Sequence, residues 1–206
     1  MTQPTEPSSR WTAYYAKTAG RPPRPTLVFA LDRFDEEERA APRRVVDLGA
    51  GGGRDVVELL RRGWQVHAVD SELTTVEALR ACAVPFPDAV LETVISDYAE
   101  ARLPQCDLVN SSFALPFCEP AVFDELWQRI FVSLLPSGRF AGQLFGPRDS
   151  WAGRPHMTFH TRAEVEGLLD GFNIEFFEEE EDDSVTPRGE KKRWHVFHVV
   201  AKKKQA

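Results

Sequence analysis

The stretch VVDLGAGGGRDVVELLRRG at 45–63 constrains the fold most: a short, mostly apolar run, Val45 to Leu48, breaks into glycines and resumes with helical spacing. The run reads as a buried strand, and Val56, Val57, Leu59 and Leu60 share one face of a helix that Gly63 stops. A strand, a glycine turn and a helix in that order start a βα unit. Its turn lets a ligand approach the backbone at the carboxyl end of a sheet. A dinucleotide fingerprint G-x-G-x-x-G begun at Gly49 requires glycine at position 54, where Arg54 stands. The loop is therefore a ligand turn that departs from the pyrophosphate-binding form.

The rest of the chain repeats the alternation. Val66 to Val69 predicts a second strand, and Thr74-Thr75-Val76-Glu77 a capping box that opens the second helix. Ala89 to Ile95, Leu108 to Ser111 and Phe140 to Phe145 predict strands three to five. A helix starts at Pro120 and ends before Pro136 and Gly138, and a second capping box, Thr161 to Glu164, opens another. Phe172 to Phe177 and Trp194 to Ala201 close the chain as an antiparallel hairpin around a charged loop, 178–193. The expected fold is α/β: a doubly wound, Rossmann-like, seven-stranded sheet, mostly parallel, with an antiparallel C-terminal hairpin. Residues 1–10, rich in Pro, Ser and Thr, are expected to be disordered, and 11–206 to form one domain. Within it, 11–35 supplies two N-terminal helices that include Trp11, Tyr14 and Tyr15, and 43–206 the core.

Charge narrows the partners. Of the net −7, the run EEEEDD at 178–183 carries six, so the body is nearly neutral and lacks a basic block outside the tail Lys202 to Lys204. This argues against nucleic acid as an obligatory partner, since phosphate binding needs clustered Lys and Arg. No apolar run reaches the length of a membrane span, and the first ten residues lack a signal-peptide core; a cytoplasmic protein without membrane contact is expected. Cys82, Cys106 and Cys118 fit neither a disulfide framework nor a zinc site and read as reduced thiols. His156 and His160 are four apart but precede the Thr161 cap, and the consecutive acids of EEEEDD diverge on a strand, so no metal site is expected.

Acids end three successive strands: Asp47, Asp70 after HAV, and Asp97 after VIS. Each alone reads equally well as a turn or helix cap, whereas three together suggest one ligand. With VVDLGAGGGRD, VHAVD, VISDY and LLPSGRFAGQLF in that order, the region 43–146 resembles class I S-adenosylmethionine-dependent methyltransferases. The C-terminal TFHTRAEVEGLLDGFNIEFFEEEEDD and WHVFHVVAKK resemble, more narrowly, the small tellurite-resistance type methyltransferases and their bacterial relatives; Arg188 and Lys191 match the basic groups of their last loop, although no histidine does.

The resemblance implies S-adenosylmethionine as cofactor. It places Asp47, Gly49 and Gly51 at its methionine part, Asp70 at the ribose and Asp97 with the Tyr98 backbone at the adenine. Asn110 and Ser111 would face the methyl group and a small-molecule acceptor. Methyl transfer is an in-line displacement that needs alignment more than a base. Tyr15, Asn110 and His156 are the candidate catalytic groups, and Trp11 to Arg24, with Lys17 and Arg21, a candidate lid or anion contact. Two alternatives stand beside this reading: a non-catalytic S-adenosylmethionine-binding sensor or assembly subunit and, less favoured, an NAD-dependent oxidoreductase.

Overall fold

The computed structural model describes residues 14, 15, 17, 18, 20–37, 41–186 and 189–205. The expectations for residues 1–10, Trp11 and Arg188 lie outside them. Tyr14, Tyr15, Lys17 and Thr18 are helical, and helix α1 follows at Pro25–Asp35. The core then alternates β1 (Arg44–Leu48), α2 (Arg54–Arg61), β2 (Gln65–Asp70), α3 (Thr74–Ala83), β3 (Leu91–Ile95) and β4 (Cys106–Ser111). A 3-10 turn (Leu115–Phe117), α4 (Pro120–Ser133), β5 (Leu134–Phe145), α5 (Arg162–Leu168), β6 (Phe172–Val185) and β7 (Lys191–Lys203) complete it.

The strands form one seven-stranded sheet in the order β3-β2-β1-β4-β5-β7-β6, parallel except for β7, which runs antiparallel to both neighbours. The hairpin is thus folded back, with β7 inserted between β5 and the edge strand β6. Period-two alternation feeds two cores: Val46, Val109 and Phe140 join the α4 and α5 side, while Val45, Leu108 and Ala141 join the side of α1, α2 and α3. Strand order reverses between β1 and β4, the switch point at whose carboxyl side α/β sheets leave a crevice for ligands.

Two expectations need correction. The EEEEDD run is not loop: β6 continues through it to Val185. Cross-strand partners make this possible, since Arg193 bonds Glu181 at 2.8 Å, His195 Glu179 at 2.9 Å and His198 Glu180 at 2.8 Å. Nor does Thr74 open a capping box; α3 begins after Leu73 with no side-chain cap, and the Thr74 hydroxyl is buried without a partner among the described residues. The second box forms as expected, with the Glu164 amide donating to Thr161 Oγ1 and the Thr161 amide to Glu164 Oε2.

Candidate active site

The glycine turn after β1 is held in a conformation side chains rarely adopt. Gly49, Gly51 and Gly53 have φ of +83°, +54° and +81°. The amides of Gly49 and Ala50 donate to the Val69 carbonyl at 2.8 and 3.1 Å, which locks the turn onto the end of β2. A Cβ at Gly49 would lie 2.3 Å from that of Ala114 and 3.3 Å from the Tyr98 hydroxyl. Tyr15 covers the other side of the turn, with Cε1 3.0 Å from the place of a Gly51 Cβ.

Asp70 braces the same turn. Its Oδ2 accepts from the Gly51 amide at 2.7 Å and its Oδ1 from the Glu72 amide at 2.9 Å. Burial pushes its carboxyl up against the opposing pull of those amides. Asp97 is exposed and caps its own turn through the Glu100 amide at 2.9 Å, while lining the same cleft. The Tyr98 carbonyl accepts from Arg129 at 2.6 Å, and the phenol of this half-buried residue is what it brings to Gly49.

Asp47 is buried at the end of β1. Its Oδ1 accepts from Asn110 Nδ2 at 2.8 Å, and its Oδ2 has no partner among the described residues. Burial, reinforced by Asp55 and Asp70, raises its carboxyl well above the usual range. Asp55, from the first turn of α2, ties three elements together: it accepts from Asn110 at 3.1 Å, from the Ser112 hydroxyl at 2.6 Å and from the Arg24 amide at 2.9 Å. Asn110 and Ser111 are both buried at the end of β4, and the Ser111 hydroxyl donates to the Leu48 carbonyl at 2.9 Å. The chain turns after β4, and Ser112 and Phe113 line the wall. Phe113 holds φ +56°, with its amide donating to the buried Gln143 at 3.0 Å.

These groups line one cleft of about 1930 Å³. Arg24 borders it, its half-buried guanidinium 4.2 Å over the Phe113 ring and its pKa lowered first by burial and then by Arg54. Sequence reasoning chose Lys17 and the exposed Arg21 and passed over Arg24, whose only signal was its place just before Pro25 at the start of α1. His156 is exposed at the cleft mouth, 3.2 Å from Glu119. His160 packs 4.5 Å from Phe123, and burial lowers its pKa. Glu179, Glu181 and His195 lie close enough for a metal, but the Arg148 guanidinium contacts all three, at 2.8, 2.6 and 3.2 Å.

Residues 45–138 match the family described as Methyltransferase domain. Over that stretch the chain is similar to methyltransferase domains, and its fold is that of S-adenosylmethionine-dependent methyltransferases. A search of curated proteins by sequence returns no match. Among solved structures it is similar to TehB from Haemophilus influenzae (16% identity, TM-score 0.71), covering 86% of this chain and 62% of that one. It is also similar to 1,6-didemethyltoxoflavin-N1-methyltransferase from Burkholderia thailandensis with bound S-adenosylhomocysteine (20%, TM-score 0.64), covering 100% and 94%. A third is a phosphoethanolamine N-methyltransferase from Haemonchus contortus, also with S-adenosylhomocysteine (19%, TM-score 0.65), covering 95% and 57%.

The residues around the glycine turn fit S-adenosylmethionine, whose demethylated product is bound in two of these similar structures. The unpartnered Asp47 oxygen suits an ammonium, and the open-backboned turn needs no phosphate. No helix among the described residues is long and apolar enough to cross a membrane.

Proposed function

We propose that this domain transfers the methyl group of S-adenosylmethionine to a small-molecule acceptor held in the same cleft. The observation that carries the reading is the buried, unpartnered Asp47 oxygen beside the left-handed glycine turn at the sheet crossover. Cleft size supports an acceptor as well: about 1930 Å³ exceeds the ~300 to 1,000 Å³ of a site for one drug-sized ligand. The cofactor supplies an activated methyl carbon; the acceptor's lone pair forms the new bond as the carbon–sulfur bond breaks, and the pair left on sulfur gives S-adenosylhomocysteine. The acceptor proton leaves through the cleft mouth, where His156 sits.

In this reading Asp47 neutralises the cofactor's ammonium, Asp70 holds the turn and accepts from the ribose, and Asp97 and Tyr98 border the adenine. The half-buried Arg24 guanidinium, over the Phe113 ring, is placed to meet an anionic group in the cleft. Incubation with S-adenosylmethionine and a panel of thiol, amine and hydroxyl acceptors tests the proposal, and S-adenosylhomocysteine formation in the presence of an acceptor is the expected result. Tight cofactor binding with no turnover on any acceptor would favour the sensor reading.

Asp47 sets a pH dependence. A carboxyl raised in the folded state binds its proton more tightly there than in the unfolded chain. The free protein therefore loses stability as pH climbs from the ordinary carboxylate range through the raised value. A bound ammonium pairs with the ionised form and removes that penalty. The rise in Tm produced by S-adenosylhomocysteine is expected to grow between about pH 5.5 and pH 8. Thermal scans across that range check it; a rise that shrinks with pH contradicts the role given to Asp47.

Tyr15 packs on Gly51 and Gly52, and the segment 14–24 is proposed as a lid that excludes water from the methyl donor. Tyr15→Ala is expected to lower kcat/KM by about tenfold or more with only a small change in Tm. Hydrogen exchange adds a second reading: protection of 14–24 should rise with S-adenosylhomocysteine, and high, unchanged protection in both states would mean static packing.

A further inference from the structure

The far end of the cleft is aromatic. Phe145 is buried at its centre, and Phe113, Trp151 and Trp194 surround it with ring centroids 6.1, 6.4 and 5.9 Å away; Phe117 lies 6.1 Å from Trp151. Only Phe145, Met157 and Val196 of this cluster are buried, whereas Phe113, Phe117, Trp151 and Trp194 are half-buried and line the cleft. Aromatic rings serving only as core would be covered on both faces; contiguous apolar surface inside a cleft marks a binding wall.

The wall is fixed from behind. Lys192 lies with its ammonium 4.1 Å from the Trp151 ring and 4.2 Å from the Trp194 ring, fully buried in an ion pair with Asp149. Asp149 also accepts from the Trp151 amide at 2.9 Å and from the His195 amide at 3.3 Å. Trp194 Nε1 donates to Ser184 at 3.1 Å. Both indoles are therefore held in place before any ligand arrives, which lowers the ordering cost of binding.

Charge selects the ligand class. An aromatic wall attracts both cations and flat rings, but here cations already occupy it: Lys192 behind, Arg24 4.2 Å over Phe113, and Arg154 4.6 Å over Trp151. A further cation is repelled, whereas a planar ring stacks on the wall and on guanidinium faces alike. Phe113 follows Ser112, which contacts Asp55, so the wall adjoins the proposed methyl-donor end.

We propose that this wall is the acceptor subsite and that the acceptor is a planar aromatic or heteroaromatic molecule bearing the nucleophilic oxygen or nitrogen on its ring. The proposal rests on the methyl-transfer reading. The lone pair of that oxygen or nitrogen bonds the methyl carbon, the carbon–sulfur pair stays on sulfur, and the proton the nucleophile carried passes to solvent at the mouth.

Calorimetry on the full chain loaded with S-adenosylhomocysteine tests it with three probes: 2-naphthol, its saturated counterpart decahydro-2-naphthol, and choline. Expected are binding of 2-naphthol at least about tenfold tighter than the saturated alcohol, and no response to choline. Trp151→Leu and Phe117→Leu should each weaken 2-naphthol by about tenfold while leaving S-adenosylhomocysteine affinity within about twofold, which also shows that the variants fold. Equal affinity for the flat and saturated alcohols, preference for choline, or variants that bind 2-naphthol like the parent would overturn the aromatic subsite alone. Failure of the parent to bind S-adenosylhomocysteine would overturn the methyl-transfer reading, and the acceptor role with it.

Discussion

Gly49→Ala is expected to reduce cofactor affinity by more than about a hundredfold and to cost ~2 to 4 kcal/mol of stability, because it combines backbone strain with overlap in a packed interior. At φ +83° a side chain is strained, and its Cβ would overlap Ala114 at 2.3 Å, on a turn anchored to Val69. Gly63→Ala separates the two causes: Gly63 has φ +76°, but nothing lies within 4 Å of its Cβ position. That variant should lose only the ~1 to 2 kcal/mol of a left-handed residue and keep its affinity. Urea unfolding and titration with S-adenosylhomocysteine measure both quantities. Equal losses in the two variants would mean that the close approach of the turn to Ala114 plays no part in binding.

Asp70→Ala is expected to weaken cofactor binding by ~1.5 to 3 kcal/mol, the scale of hydrogen bonds to a charged group. Its oxygens accept from the amides of Gly51 and Glu72, so the variant removes the brace under the glycine turn together with the proposed ribose contact. Asp70→Asn divides these roles, since it retains one acceptor oxygen but no charge. If affinity is unchanged in a folded Asp70→Ala variant, the carboxylate serves the turn alone.

The glycine turn and the strand alternation were legible because their signals are local: glycines where φ is positive, apolar residues at period two or 3.6. The inserted position of β7 and the length of β6 were not. Six acids in a row read as loop, and partners distant in sequence, among them Arg193, His195, His198 and Arg148, make them a strand. The acids at three strand ends were legible by position, but their partners were not. Asp55 joins Arg24 to Asn110 and Ser112 from two distant segments, and no spacing announces that convergence.

Asn110 and Ser111 are buried at the end of β4. The wall begins one residue later, at Ser112, because the backbone turns into the positive φ of Phe113. Trp151 and Trp194, 43 positions apart in the chain, form the aromatic wall through Lys192 and Asp149; in sequence both were indistinguishable from ordinary core aromatics.

The most direct test of the central claim is calorimetric titration of the full chain with S-adenosylhomocysteine and with NAD under the same conditions. Arg54 stands where the dinucleotide turn needs a third glycine, and the acids Asp47, Asp55 and Asp70 line the cleft, where they oppose a pyrophosphate and favour an ammonium. Saturable one-to-one binding of S-adenosylhomocysteine, lost in Gly49→Ala, with no response to NAD is the predicted result. Tight binding of NAD with no response to S-adenosylhomocysteine would contradict the account.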